Sequence, residues 1–328
     1  MTERQDLQLV EQLHHSRDLI YTELSKVIVG QQDIIDHILI TLLCRGHALV
    51  IGVPGLAKTL LIKSVAQILD LHFSRIQFTP DLMPSDITGT EIIEEDHATG
   101  KRVFKFVKGP VFGNIILADE INRTPPKTQA ALLEAMQEQK VTAAGTSYEL
   151  EAPFLVLATQ NPIEQEGTYP LPEAQLDRFM FSVNITYPSF AEEVEIVKST
   201  TSVKEDVPQE IITRQQILSY QNLVRRVPVA DNVVEFAVNL VAQTRPSDRG
   251  LDFINDWVEW GAGPRASQYL ILGAKAKAAL EGRPSPVIAD VTRMVKPVLR
   301  HRVITNFNAE ADGIRTDDIL DRLIEQLR

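Results

Sequence analysis

Hydrophobic residues recur at helical spacing through the first part of the chain. One set lies within residues 5–26 and consists of Leu9, Leu13, Ile20 and Leu24; a second set follows Gly30 and consists of Ile34, Ile35, Ile38, Leu42 and Leu43. Because a surface helix buries one apolar stripe, this spacing predicts two amphipathic helices. A short apolar run over residues 48–51 then ends at Gly52, which predicts a buried strand that leads into a loop.

Three later segments are also short, mainly apolar runs, at residues 115–118, 154–158 and 181–185. Strands that are buried on both faces read as such runs, and segments of helical period, for example residues 127–139, lie between them. The alternation predicts an α/β fold, with a doubly wound, mainly parallel sheet flanked by helices over residues 30–187.

No strand is predicted after Tyr187 and Pro188. Helical spacing continues instead at residues 190–201, 213–226, 231–243, 266–281, 287–302 and 317–327. A chain of 328 residues is long enough for two hydrophobic cores. The pattern therefore predicts two domains, an αβ core over residues 1–187 and an all-helical domain over residues 188–328.

Composition limits the classes of function. Lys and Arg total 33 against 44 Asp and Glu, a formal net charge of −11, which disfavours a general nucleic-acid or membrane-surface role. The apolar runs are too short to span a membrane, and the first residues lack the order of a secretion signal. Cys44 is the single cysteine, which fits a cytoplasmic protein, and its place on an apolar helical face predicts a buried thiol.

The loop after the first strand has the composition of a phosphate-binding loop. It consists of Gly52, Val53, Pro54, Gly55, Leu56, Ala57, Lys58 and Thr59, and Leu60 completes the predicted nucleotide-binding set. In this context backbone N–H groups point at the phosphates of ATP or ADP, Lys58 reaches the β and γ oxygens, and Thr59 offers its hydroxyl to Mg²⁺. Ala57 stands where glycine is usual, and we expect it to be tolerated only if its backbone has helical φ.

An acidic pair, Asp119 and Glu120, directly follows the apolar run at residues 115–118. Because the carboxyl ends of parallel strands meet at one edge of a sheet, we expect both carboxylates beside the phosphate loop. Asp119 is then placed to hold Mg²⁺ together with Thr59, and Glu120 to orient or deprotonate the attacking water. Either motif alone is common, but the two in this order predict a site that hydrolyses ATP.

Further segments, together with these two motifs, give the chain a likeness to a known family. They lie at residues 28–31, 121–123, 158–162, 176–179 and 261–266. Over nearly its whole length the sequence resembles the MoxR family of AAA+ ATPases, in which alanine is usual at the position of Ala57. The resemblance implies a P-loop AAA+ core, a C-terminal helical lid, and Mg²⁺-dependent ATP hydrolysis.

The resemblance also implies roles for individual residues. Ile28, Val29 and Gly30 would contact the adenine, and Asn161 would be a first sensor that holds the lytic water or the γ-phosphate. Arg178 would be an arginine finger that reaches a neighbouring subunit's nucleotide, with Arg123 as the alternative. Arg265 would be a second sensor carried by the lid, although Gly263 stands where serine is more frequent. A finger supplied by a neighbour makes a closed ring, expected to be a hexamer, the active form.

Two hairpins are predicted to interrupt the core. The first covers residues 90–106 with a turn at 96–100, and the second covers residues 141–150 with a turn at 144–146. They are either ordinary surface hairpins or, as the resemblance implies, elements that project toward the pore of a ring or toward a partner. The resemblance implies chaperone-like remodelling, maturation or activation of a partner protein, which often carries a metal-dependent adhesion-type domain.

Two rival functions remain at this stage. One is a nucleic-acid-dependent motor of the helicase type; the second hairpin lacks Lys and Arg, which disfavours it, whereas the basic residues Lys101, Arg102, Lys105 and Lys108 keep it open. The other is a nucleotide-gated adaptor that does not hydrolyse ATP. The full set of Lys58, Asp119, Glu120 and Asn161 disfavours this adaptor.

Overall fold

A parallel sheet forms the centre of the molecule. A computed structural model describes residues 3–95, 102–143, 145–163, 167–201, 207–248 and 250–327. In chain order the strands are β1 (Ala48–Ile51), β2 (Phe73–Gln77), β3 (Gly89–Glu95), β4 (Arg102–Lys108), β5 (Ile115–Asp119), β6 (Lys140–Ala143), β7 (Thr146–Glu149), β8 (Leu155–Gln160), β9 (Phe181–Asn184), β10 (Val258–Trp260) and β11 (Ile304–Thr305). The central sheet has five strands in the order β2-β5-β8-β1-β9, all parallel to their neighbours.

Helices cover both faces of this sheet and form most of the second half of the chain. They are α1 (Glu3–Leu24), α2 (Gln32–Leu43), α3 (Lys58–Ile68), α4 (Pro84–Thr88), α5 (Pro126–Glu138), α6 (Glu173–Leu176), α7 (Phe190–Thr200), α8 (Arg214–Arg226), α9 (Asp231–Ala242), α10 (Asp252–Trp257), α11 (Pro264–Leu280), α12 (Ile288–Leu299), α13 (Phe307–Ala311) and α14 (Thr316–Leu327). We call α7 to α14 the lid. The α/β fold with a parallel sheet and a helical lid is confirmed.

Two strand features were not predicted from the sequence. β2 is an edge strand with one buried side chain, Ile76, among its five residues, so it lacks the apolar run by which buried strands are recognised. The lid contains the short antiparallel pair of β10 and β11, so the all-helical description was wrong in this detail. Both strands of that pair are three residues or fewer, too short for periodicity to detect.

The two predicted hairpins are present, and they contact each other. β3 pairs with β4 and β6 pairs with β7, both antiparallel. The predicted turns at residues 96–100 and at Ala144 lie outside the described residues. The rings of Phe106 and Tyr148 stack with centroids 4.1 Å apart, which joins the hairpins. Ile93 and Phe104 lie directly opposite each other and are 61% and 74% exposed.

The hydrophobic core has two parts, one on each face of the sheet. Side chains of alternate residues in a strand point to opposite faces, so Val156 belongs to the first part and Leu157 to the second. The first part contains α4 and α5. The second joins α1, α2 and α3 to the lid helices α11 and α12, so the lid shares a core with the helices of the sheet domain.

Replacement of Leu157 with alanine tests this second part of the core. Leu157 is fully buried in the middle strand β8, where it pairs with Ala48 and Leu117. We expect the free energy of unfolding, measured by urea denaturation, to fall by about 2–5 kcal/mol because a cavity remains. The exposed Ile93→Ala is the control, and an equal loss in both variants would contradict the assigned core.

The buried state of Cys44 agrees with the prediction from the sequence. The thiol is buried, its Sγ lies 3.3 Å from the carbonyl oxygen of Leu272, and burial raises its pKa to about 12. Because the thiolate is the reactive form, Cys44 is an inert core residue. Among the described residues, no helix is long and apolar enough to cross a membrane.

Candidate functional site

Three functional segments leave adjacent strands at the same edge of the sheet. The loop of residues 52–59 follows β1, Asp119 is the last residue of β5, and Asn161 follows β8, which lies between them. The N–H of Gly52 donates to the carbonyl of Gln160 at 3.2 Å, so the start of the loop is fixed beside Asn161. Since the strands are parallel, their carboxyl ends form one crevice, and the motifs meet there.

The loop itself forms an open cradle of backbone N–H groups. Gly55 has φ 85° and Ala57 has φ 54°, after which α3 begins at Lys58. Left-handed residues next to right-handed ones turn successive N–H groups inward and make an anion-binding concavity. A Cβ built on Gly55 would have no neighbour within 4 Å, so the cradle is open. These features fit a phosphate group.

The expected helical φ at Ala57 was wrong. The residue is left-handed, at φ 54° and ψ 21°, although alanine adopts this conformation only at a cost of about 1–2 kcal/mol. Such strain persists where the surrounding structure fixes the backbone. Here β1 holds one end of the loop and α3 the other, so the cradle geometry forces the conformation.

Lys58 lies between the loop and the acidic pair. Its Nζ donates to the carbonyl oxygen of Gly52 at 2.6 Å. Burial lowers the pKa of Lys58, and the negative charges of Asp119 and Glu120 act in the opposite direction. Both carboxylates are therefore close enough to Lys58 for their charges to act on its ammonium group.

Both carboxylate oxygens of Asp119 accept hydrogen bonds from side chains. Thr159 donates to Oδ1 at 2.6 Å, and Arg75 donates to Oδ2 through Nη2 at 2.6 Å and Nε at 3.2 Å. Thr159 is on β8 and Arg75 is on β2, the two strands that flank β5. The sheet therefore orients Asp119 from both sides.

Glu120 is held in a defined position as well. Its backbone is left-handed at φ 58°, and its N–H donates to Thr159 Oγ1 at 2.9 Å. Its Oε2 accepts from Gln77 Nε2 at 3.0 Å and lies 3.3 Å from Arg123 Nε. A left-handed non-glycine residue is a strained one, and such strain is concentrated at functional sites.

Sequence reasoning missed three residues of this crevice: Arg75, Gln77 and Thr159. Arg75 and Gln77 are on β2, which was not recognised as a strand, and their spacing of two residues places both on one face of it. Thr159 lies within the segment 158–162 that carried the family resemblance, but no role was assigned to it. The one signal in the sequence for this strand was the polar pair Arg75 and Gln77, two residues apart, directly before Phe78.

A second cavity, of about 530 Å³, lies beside the loop of residues 28–31. Its lining includes Val29, Gly30, Gln31, Tyr187 and Glu192. Gly30 has φ 68°, and a Cβ there would collide with the Glu192 carboxylate, so glycine permits this close approach. Ile28, predicted to contact adenine, is only 6% exposed, belongs to the hydrophobic core and does not line this cavity.

The remaining residues of the predicted binding set lie along the loop and its helix. Pro54 and Leu60 are exposed and Thr59 is partly exposed, whereas Leu56 is buried in the core. Asn161 is buried, and its Oδ1 accepts from the N–H of Ile163 at 3.2 Å. The predicted set thus divides into residues open to the crevice and residues that support it.

The three arginines of interest have different surroundings. Arg123 lies against Glu120 of its own chain, as described above. Arg265 Nη1 forms an ion pair with Asp177 Oδ2 at 2.7 Å. Arg178 is partly exposed, and among the described residues its side chain forms no hydrogen bond or ion pair.

The fold and the site together define a class of protein. The phosphate loop follows β1, the acidic pair ends β5, a polar residue follows the strand between them, and a helical lid succeeds the sheet. This arrangement is that of a P-loop ATPase of the AAA+ type.

Comparisons with known proteins give the family. The family model described as "ATPase family associated with various cellular activities (AAA)" matches residues 47–181, and the model described as "AAA lid domain" matches residues 254–323. Chaperone MoxR1 of Mycobacterium tuberculosis is 42% identical over 95% of this chain and 81% of its own length. The protein belongs to the MoxR family of AAA+ ATPases.

Other relatives agree with this assignment. Protein MoxR of Methylorubrum extorquens is 30% identical over 86% of this chain and 85% of its own length. A solved structure of a protein from Cytophaga hutchinsonii is 42% identical and superposes with a TM-score of 0.90, covering 97% of this chain and 96% of that one. The fold and the family are therefore shared over nearly the full chain.

Proposed function

We propose that this protein hydrolyses ATP to ADP and phosphate with Mg²⁺ and couples hydrolysis to the remodelling of a partner protein. The observation that carries the proposal is the convergence of Lys58, Asp119 and Glu120 on one crevice, beside an open cradle of backbone N–H groups. Membership of an ATPase family supports the reaction class.

Nucleotide binding would use both parts of the site. The N–H groups of residues 52–59 and the ammonium group of Lys58 hold the phosphates, and Val29 and Gly30 line the space for adenine. Thr59 and Asp119 offer the oxygen atoms that Mg²⁺ prefers, and when bound this ion would neutralise charge on the β and γ oxygens.

Hydrolysis would use the residues at the strand ends. Glu120 accepts a proton from the attacking water, and Gln77 fixes the direction of its carboxylate. Asn161, between the two motifs, orients the water or the γ-phosphate. Arg265 would reach the nucleotide from the lid.

A neighbouring subunit would supply the last catalytic group. Arg123 forms an ion pair with Glu120 of its own chain, whereas the side chain of Arg178 forms no hydrogen bond or ion pair among the described residues, which favours Arg178 as the trans arginine. An arginine that stabilises charge in the transition state can act from another subunit. We propose a closed ring, a hexamer, as the active form.

The hairpins are the proposed contact with the partner protein. Ile93 and Phe104 form an exposed apolar pair on β3 and β4, and exposed apolar groups of this kind are typical of interaction sites. A relative is named as a chaperone, which supports remodelling, maturation or activation of a client. We further propose that the client carries a metal-dependent adhesion-type domain and that the protein is located in the cytoplasm.

Replacement of Lys58 with alanine tests nucleotide binding. We expect the Kd for a fluorescent ATP analogue to rise by about 10- to 100-fold, because a hydrogen-bonded charge on the phosphates is lost. Lys63→Ala, an exposed lysine on the same helix, is the matched control. Unchanged affinity in Lys58→Ala, or an equal loss in the control, would remove Lys58 from the site.

A further inference from the structure

The segment that carries Arg178 is held by the lid. Residues 177–180 connect α6 to β9, and Arg302 lies just after α12 of the lid. The side chain of Arg302 is only 2% exposed. A buried guanidinium requires partners for its five N–H donors, so its contacts define what it stabilises.

Arg302 binds this segment on both sides of Arg178. Nη2 donates to the carbonyl oxygens of Asp177 at 2.9 Å and Phe179 at 2.7 Å, and Nη1 donates to that of Met180 at 3.2 Å. Nε donates to the Asp177 carboxylate at 2.8 Å. The rigid fork of arginine can hold several oxygens at once, which a lysine ammonium group cannot do in the same geometry.

The carboxylate of Asp177 joins two lid arginines. Its Oδ1 accepts from Arg302, and its Oδ2 pairs with Arg265 at 2.7 Å. Arg265 and Tyr269 lie one turn apart on α11, and the guanidinium of Arg302 is 5.2 Å from the Tyr269 ring centroid. The two lid arginines therefore meet at the residue directly before Arg178.

We infer that Asp177 and Arg302 are positioning residues that couple the lid of one subunit to its Arg178. The inference rests on the proposed roles of Arg265 and Arg178 in ATP hydrolysis. Asp177 and the nucleotide phosphates compete for Arg265, and Arg302 keeps the backbone around Arg178 in place. A lid that moves to bring Arg265 to its own nucleotide thereby changes the contacts of the arginine that serves the neighbour's nucleotide.

The competition gives an effect on ATP affinity of a definite sign. Asp177→Asn removes the charge that holds Arg265 away from the nucleotide but keeps an oxygen that accepts from Arg302. We expect ATP to bind about two- to fivefold more tightly, the range of one half-exposed ion pair. We expect kcat to fall at the same time, because the segment of Arg178 is held less firmly.

Affinity measurements in the wild-type and Arg265→Ala backgrounds separate this inference from a general structural effect. Affinity is measured by equilibrium titration with a fluorescent ATP analogue in Asp177→Asn, Arg265→Ala and the double variant. If Asp177 acts through Arg265, Asp177→Asn tightens binding in the wild-type background and has no effect in Arg265→Ala. Asp321→Asn, which removes an exposed lid ion pair with Lys296, is the matched control and should change neither affinity nor kcat.

The effect on Arg178 is tested by mixing subunits. Asp177→Asn subunits are mixed with Glu120→Gln subunits, which cannot hydrolyse ATP but have an intact Arg178. Hydrolysis per Asp177→Asn subunit should rise in the mixture, because a neighbour supplies a well-positioned arginine. A mixture of Arg178→Ala with Glu120→Gln is the reference, in which the same rise is expected.

The outcomes distinguish the inference from the proposed function. The inference is overturned if Asp177→Asn has the same affinity effect with and without Arg265, or if the reference mixture regains activity and the Asp177→Asn mixture does not. If Arg265→Ala leaves affinity unchanged, or the reference mixture regains nothing, the proposed roles of Arg265 or Arg178 are wrong and the inference fails with them.

Discussion

Replacing Arg178 with alanine is expected to lower kcat for ATP hydrolysis by about 10³- to 10⁵-fold, the range of an arginine finger. The physical reason is that a guanidinium group stabilises the charge that develops on the transferred phosphoryl group, a contribution of about 4–7 kcal/mol. The affinity for ATP should change little, since this contact strengthens in the transition state. Phosphate release under saturating ATP and the Kd for ATP are the two measurements.

Two arginine variants serve as controls for this result. Arg123→Ala tests the alternative trans arginine. Arg214→Ala removes a surface ion pair with Glu151, and neither residue belongs to a motif of the site. We expect Arg214→Ala to hydrolyse ATP at the wild-type rate. A larger fall in kcat for Arg123→Ala than for Arg178→Ala would assign the role to Arg123 instead.

The second large effect is expected for Glu120→Gln, which should lower kcat by about 10²- to 10⁴-fold while ATP stays bound. Glutamine has nearly the same shape as glutamate but cannot take a proton from water. The crevice is otherwise unchanged, because Lys58 and the N–H groups of the loop still hold the phosphates. Nucleotide retained after gel filtration and phosphate released in solution are measured on the same sample.

A matched acidic variant completes this experiment. Glu138→Gln makes the same chemical change at an exposed residue at the end of α5, and it should leave both quantities unaltered. Wild-type turnover in Glu120→Gln would show that another group activates the water.

The same variant also tests the coupling to a partner protein. An ATP-locked ring should retain its client longer than the wild-type protein does, so proteins that co-purify with Glu120→Gln from cell extract can be identified. Replacement of Ile93 and Phe104 with serine in that background should abolish retention if the hairpins make the contact. Retention of RNA or DNA in place of protein would contradict the proposed remodelling function.

Much of the fold was accessible from the pattern of apolar residues. β1, β5, β8 and β9 coincide with short, mainly apolar runs, and each was predicted within a residue or two. The strand β2 was not, because only one of its five side chains, Ile76, is buried, so it lacks an apolar run. Its absence from the prediction removed Arg75 and Gln77 from the expected site, although they contact Asp119 and Glu120.

The sequence by itself determined the elements and the chemistry that depend on neighbouring residues. Apolar periodicity specifies which segments are buried. The loop at residues 52–59 and the pair of Asp119 and Glu120 are each contiguous in the sequence, so both motifs can be recognised from local information. The helical lid was likewise readable from its periodicity.

Only the tertiary structure decided how distant residues combine. The left-handed backbone of Ala57 is imposed by β1 and α3 together, and the bond from Thr159 to Asp119 exists because β8 lies beside β5. Asp177 meets Arg265 and Arg302 across 88 and 125 residues of chain. Such contacts depend on the packing of the lid against the sheet domain, since residues that far apart carry no local signal of their proximity.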